Sequence, residues 1–151
     1  MKPGDLAPDF ELPDETGQPQ KLSKLLTSGP VVLFFYPIAL SSGCTAEACH
    51  FRDLATEFTA LGAQRIGIST DPAAAQREFA ETKSLGYPLL SDVDGNVARA
   101  YGVKRRLLAK LAPVKRVTFV IGTDGVVRDM INSETKMNIH ADKALAALKK
   151  S

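Results

Sequence analysis

Residues 36–52 read Tyr-Pro-Ile-Ala-Leu-Ser-Ser-Gly-Cys-Thr-Ala-Glu-Ala-Cys-His-Phe-Arg and hold both cysteines of the chain, Cys44 and Cys49. An apolar run leads into them: Val31, Val32, Leu33, Phe34, Phe35 and Tyr36. Its β-branched and aromatic content predicts a strand buried on both faces. Pro37 brings no N–H to a strand ladder and stops it. Ser41, Ser42 and Gly43 then offer the chemistry of a helix start. From about Cys44 a helical stripe runs through Ala48, Phe51, Leu54, Ala55, Phe58 and Leu61, predicting one helix that ends near Gly62. Strand, tight loop, cysteine and helix in that order place a thiol beside unpaired backbone N–H groups. A negative sulfur is favoured there, and the thiolate is the reactive form of cysteine.

Working outward, the flanks alternate. Residues 1–13 carry Pro3, Pro8 and Pro13, and Thr16-Gly17-Gln18 is a turn, so a short hairpin or extended lead is expected. Ser23 is placed to cap a one-turn helix. Arg65 to Thr70 reads as a second strand. Asp71-Pro72 opens a helix to about Leu85, with Asp71 as its cap. Leu89-Leu90-Ser91 is a short strand. Asp94-Gly95 turns into a short helix closed by Gly102. Residues 117–121 form a strong strand, Asp124-Gly125 marks a hairpin, and a last helix is expected over about 141–149. Residues 104–113 fit no element. Alternating strands and helices imply parallel pairing with right-handed crossovers, closed by an antiparallel hairpin.

The 151 residues suffice for one domain, residues 1–151, with a sizeable core. A composition of 44% hydrophobic and 24% charged residues is that of a soluble globular protein. A net charge of +2 is too small to make nucleic acid a main partner. No run reaches membrane-spanning length, and Met1 to Phe10 has no apolar stretch of a secretory signal. Two cysteines without an export signal point to a reducing compartment, and the cytoplasm is the expected location. Paired cysteines there are more often catalytic or metal-binding than structural. His50 and His140 make no zinc spacing with Cys44 and Cys49, so no metal is expected. Asp94-Gly95-Asn96 and Asp124-Gly125 are turns rather than calcium loops, and there is no glycine-rich phosphate loop.

The spacing Pro37, three residues, Ser41, two residues, Cys44 resembles the peroxiredoxin active-site pattern. The longer string Gly43-Cys44-Thr45-Ala46-Glu47-Ala48-Cys49 is similar to the peroxiredoxin Q group, also called bacterioferritin comigratory proteins. The likeness runs from Gly4 to the C-terminal helix, and residues 4–12 match the opening segment of the family. It implies a thioredoxin-like α/β fold, a central mixed sheet with helices on both faces. It also implies a thiol peroxidase that needs no cofactor, since sulfur carries the electrons. The substrates would be hydrogen peroxide and organic hydroperoxides, and a thioredoxin-type reductant would restore the enzyme. The chain would act as a monomer or weak homodimer.

Each residue has a plainer reading beside the chemical one. A lone cysteine is usually a small core residue; a position just after Ser-Gly at a helix start argues for Cys44 as the nucleophile. Cys49 lies about 140° around the helix from Cys44, towards the polar side. In an intact helix the two Cα atoms are about 8.7 Å apart, beyond the roughly 7 Å a disulfide spans. A resolving role for Cys49 therefore requires the first turns to unwind. The alternative is a one-cysteine peroxidase served by an outside thiol. Ser41 is a peroxide-binding hydroxyl or a helix N-cap. The family most often has Thr there, and Ser lacks the methyl that restricts χ1. Pro37 stops the strand, and the resemblance adds that it shields the thiolate from water. Arg116 matches the family on R-x-T-F, which implies a guanidinium beside Cys44; read alone, it is a solvated Arg at a strand end. Glu47 is placed in the first turn, where an acid suits the helix dipole. Lys104, Arg105, Arg106, Lys110 and Lys115 form a basic cluster, read as a solvated face. A thioredoxin-fold disulfide reductase would want C-x-x-C, and four residues separate these cysteines. A non-enzymatic redox sensor or holdase would also use Cys44, without needing Ser41 and Arg116 in line.

Overall fold

The computed structural model describes residues 1–105 and 113–150. Its frame is a five-stranded mixed sheet in the order β5-β4-β3-β6-β7. The central strand β3 (Val31–Phe35) and its neighbour β6 (Val117–Ile121) are buried at every residue, as the all-apolar runs require. β3 pairs parallel with β4 (Gln64–Ser69), which pairs parallel with β5 (Leu89–Ser91). On the other side β3 pairs antiparallel with β6, and β6 with β7 (Val127–Asn132). Ahead of the sheet, β1 (Glu11–Pro13) and β2 (Pro19–Lys21) make the expected hairpin.

Successive side chains of a strand point to opposite faces, and this divides the core in two. Val32, Phe34 and Tyr36 meet α2 (Ser42–Asp53), α3 (Ala55–Ala60), α4 (Ala73–Thr82) and α6 (Asn138–Lys149). Val31, Leu33 and Phe35 meet α1 (Leu22–Leu25), α5 (Asn96–Ala100) and the N-terminal residue Phe10. Phe34 stacks on Phe51 of α2, with ring centroids 4.3 Å apart and planes 9° from parallel. Gly67 of β4 lies beneath that aromatic layer. A Cβ there would come within 2.7 Å of Leu89 and 3.0 Å of Phe34, so only glycine leaves room for the rings.

Several boundaries differ from the sequence reading. The expected long helix after Cys44 is two helices, because Leu54 turns out of helical backbone at φ −97° and ψ 21°. Ser23 lies inside α1, its N–H donating to Asp9, rather than capping it. Asp71 does not cap α4; its carboxylate is taken by Ala39 N–H at 2.8 Å and Ser69 Oγ at 2.6 Å. The last helix starts at Asn138 and so includes His140. Lys104 and Val114 form an isolated bridge, and Arg106 and Lys110 of the basic cluster lie outside the described residues.

Candidate active site

β3 delivers the chain to residues 36–41, and α2 begins immediately after. The same register brings in Arg116. Phe35 at the end of β3 faces Val117 at the start of β6, so the residue before β6 arrives beside the loop that precedes α2. Arg116 and Thr118 are two residues apart and share a face, the one covered by α2 and α6. The guanidinium therefore meets the side of α2 that carries Cys44.

Arg116 Nη2 donates to Cys44 Sγ at 3.3 Å, and Nη1 donates to Glu47 Oε1 at 2.9 Å. Both cysteine and glutamate are essentially inaccessible, and Arg116 is 5% exposed. Burial works against the Arg116 cation, but Glu47 and Cys44 outweigh it and hold the charge. Burial also pushes the Glu47 carboxyl up to about 8, against the opposing pull of Arg116. The backbone N–H of Arg116 donates to Glu134, which also pairs with Arg105 at 2.8 Å. Glu134 thus holds the backbone of Arg116, and Glu47 orients its guanidinium so that Nη2 faces the sulfur.

Behind Glu47 stands His140, fully buried, with Nδ1 3.4 Å from Glu47 Oε2. Thr118 Oγ1 lies 2.8 Å from the same nitrogen, and Nε2 lies 2.9 Å from the Ser133 carbonyl. Burial keeps His140 below its ordinary pKa, with the Ser133 carbonyl opposing and Arg116 adding to the depression. The imidazole is thus neutral at pH 7, and Nε2 must carry its proton to serve the carbonyl.

Glu47 is not the first-turn dipole partner that its position in the sequence suggests. It sits one turn deeper, wholly buried, and no acid occupies the first turn of α2. The spacing carries the signal: Glu47 lies three residues after Cys44, on the face of Ala48 and Phe51. His140 reads as an isolated histidine in the sequence, although it begins the inward stripe of Ala141, Ala144, Leu145 and Leu148.

Ser41 occupies the N-cap position of α2, and its carbonyl accepts from Thr45 N–H at 2.8 Å. Its hydroxyl does not cap; it donates back to the Ile38 carbonyl at 3.0 Å. Leu40, just before it, has φ 65°, a left-handed conformation uncommon for a bulky residue. Pro37 is half-buried, next to the fully buried Tyr36, whose hydroxyl is bonded to Gln76. Cys49 is half-buried and both thiols are free. Among the described residues no cluster of three or more His, Cys, Asp or Glu could hold a metal ion.

The AhpC/TSA family model matches residues 3–130. The chain is a peroxiredoxin. It is 63% identical to peroxidoxin BcpB of Mycobacterium tuberculosis, whose crystal structure superposes with a TM-score of 0.95 over 99% of this chain and 97% of that one. Peroxiredoxin Q of Xanthomonas campestris is 30% identical, with a TM-score of 0.85 over 93% of this chain and 90% of its own. The chloroplastic peroxiredoxin Q of Arabidopsis thaliana is 41% identical over 146 residues, 97% of this chain and 66% of that protein. The thioredoxin-like architecture, the peroxiredoxin Q kinship and thiol-dependent peroxidase activity follow from this membership. No helix of the described residues is long and apolar enough to cross a membrane.

Proposed function

We propose that Cys44 is the peroxidatic cysteine of this peroxiredoxin and Cys49 its resolving cysteine. The observation that carries this reading is the donation from Arg116 Nη2 to Cys44 Sγ, made between residues 72 apart in the chain. A cation at that distance stabilises the thiolate and the negative charge that develops on the departing oxygen. The Cys44 thiolate attacks the terminal oxygen of ROOH. An S–O bond forms, the O–O bond breaks, and RO⁻ takes up a proton to leave as water or an alcohol. Ser41 and the backbone N–H groups at the start of α2 align the peroxide, and Pro37 screens the sulfur from water.

The sulfenic acid formed on Cys44 is attacked by the Cys49 thiol. An S–S bond forms and the hydroxyl departs as water. A dithiol reductant of thioredoxin type then reduces the disulfide to two thiols and is itself oxidised. Cys49 suits this role because it is partly accessible and shares α2 with Cys44. Hydrogen peroxide and organic hydroperoxides are the substrates of this reading. The enzyme works as one domain, a monomer or weak homodimer, in the reducing cytoplasm that two unpaired thiols favour.

The test is peroxide consumption supported by thioredoxin and its reductase, beside Cys44→Ser. The variant should lose turnover while keeping its stability, since oxygen replaces sulfur almost isosterically. Substantial turnover by Cys44→Ser would remove Cys44 from the role.

A further inference from the structure

One peptide unit of the loop before α2 is held from both edges. The Ile38 carbonyl accepts from the Ser41 hydroxyl at 3.0 Å and from the Ser41 N–H at 3.5 Å. On the opposite edge of the same peptide, the Ala39 N–H donates to Asp71 Oδ2 at 2.8 Å. The peptide is trans and planar, so fixing its N–H fixes the direction of its carbonyl. The carbonyl that receives the Ser41 proton is therefore aimed by a carboxylate 32 residues beyond Ala39 in the chain.

Asp71 is itself anchored in buried structure. The Ser69 hydroxyl donates to Asp71 Oδ2 at 2.6 Å, and it accepts from Asp71 N–H at 3.2 Å and from Gln76 Nε2 at 3.0 Å. A hydroxyl has one proton and two lone pairs, so this one is fully used. Gln76 Nε2 also donates to the Leu90 carbonyl at 2.7 Å, and Gln76 Oε1 accepts from the Tyr36 hydroxyl. Ser69, Gln76 and Tyr36 are all buried. Residues 36–39 are thus tied at both ends to β4 and α4, Tyr36 through Gln76 and Ala39 through Asp71, with Pro37 between the ties. The helix that Asp71 precedes receives no side-chain cap, because the carboxylate serves the loop instead.

We propose that Asp71 is a positioning residue for peroxide reduction: through the Ile38–Ala39 peptide it sets the direction of the Ser41 hydroxyl and holds the loop that carries Pro37. The inference rests on the reading of Ser41 as a residue that aligns the peroxide at Cys44. Direction matters because a hydroxyl whose proton lies on a carbonyl meets the peroxide as an acceptor. It matters more for serine than for threonine, since Ser41 lacks the methyl group that restricts χ1. The hydrogen bond to a carbonyl held by Asp71 supplies the restraint that the missing methyl does not.

The experiment is a double-mutant cycle on the second-order rate of sulfur oxidation by hydrogen peroxide, with Asp71→Ala and Ser41→Ala singly and together. Asp71→Ala should slow oxidation roughly tenfold, the scale of one hydrogen bond to a charged group. Asp71→Asn keeps an acceptor for the Ala39 N–H and should recover most of that loss. In the Ser41→Ala background the hydroxyl to be aimed is gone, so Asp71→Ala should cost under about threefold. Alkylation of Cys44 by iodoacetamide, followed by peptide mass spectrometry, needs the thiolate but no aligned peroxide, and Asp71→Ala should not slow it. The same tenfold cost in both backgrounds, or alkylation slowed as much as oxidation, would make Asp71 a merely structural residue and overturn the proposal. A parental oxidation rate in Ser41→Ala would instead remove the reading of Ser41 beneath it. The unaltered protein gives a readout that depends on no variant folding. Ala39 lies between the exposed Ile38 and Leu40, and its amide should still be protected from hydrogen exchange. An unprotected Ala39 amide would also overturn the proposal.

Discussion

The two halves of α2 are held very differently. From Glu47 onward the helix is fastened at nearly every turn. Glu47 pairs with Arg116, and Tyr87 donates to the Ala48 carbonyl at 2.7 Å. Arg65 donates to the Phe51 carbonyl at 2.9 Å, and Arg52 reaches the Lys83 carbonyl at 2.6 Å. His50 meets Asp142 of α6 at 2.8 Å, and Phe51 stacks on the central strand. The first turn has fewer ties. Ser41 provides no side-chain cap, Ser42 is exposed, and the entry passes through the left-handed Leu40. Cys44 is held by Arg116, and Met137 lies against Gly43. On the proposed mechanism, this contrast makes Cys44 the cysteine expected to move, with its turn opening first, and Cys49 the one that waits in the fastened half.

Arg116→Ala should have the largest effect on this contrast, since Arg116 touches both halves. Loss of one preorganised donor at a reacting centre slows chemistry by roughly 10²–10³-fold. Stopped-flow oxidation of the sulfur by peroxide measures it, and a change under about twofold, far short of that scale, would place Arg116 outside the reaction. Phe51→Ala tests the fastened half. It should cost about 3–5 kcal/mol in urea unfolding, the range for emptying a buried aromatic site. A loss below about 1 kcal/mol would mean that the stack does not anchor α2.

Leu40→Gly tests the loose half and should have the smallest effect. A left-handed L-residue carries about 1–2 kcal/mol of strain, and the freedom of glycine in the unfolded chain offsets part of its relief. The expected result in urea unfolding is a gain under about 1 kcal/mol, and a clear loss would show that the Leu40 side chain supports the loop.

The sequence made some of this legible and hid the rest for definable reasons. The buried strands 31–35 and 117–121 are readable because uninterrupted β-branched and aromatic runs of that length suit a strand covered on both faces and little else. The strand–loop–helix around Cys44 is readable from Pro37 and the Ser-Ser-Gly start. Two features are not. The break at Leu54 leaves the apolar stripe continuous, so periodicity passes straight through it. The Glu47–Arg116–His140 cluster joins three segments through sheet register, and local pattern carries no information about register between distant strands. A carboxyl on the face of Ala48 and Phe51 signals burial, but only the fold supplies its partners.

The most direct test of a mobile Cys44 and a waiting Cys49 is to oxidise the reduced protein with one equivalent of hydrogen peroxide. Intact and peptide mass spectrometry would be read together with hydrogen exchange and far-UV circular dichroism. The expected result is a Cys44–Cys49 disulfide within one chain, a partial loss of helix, and faster exchange confined to residues 42–46. Residues 47–53 should stay protected by the contacts that fasten them. Dimers linked between chains, or a stable sulfenic acid on Cys44 with Cys49 still free, would contradict it.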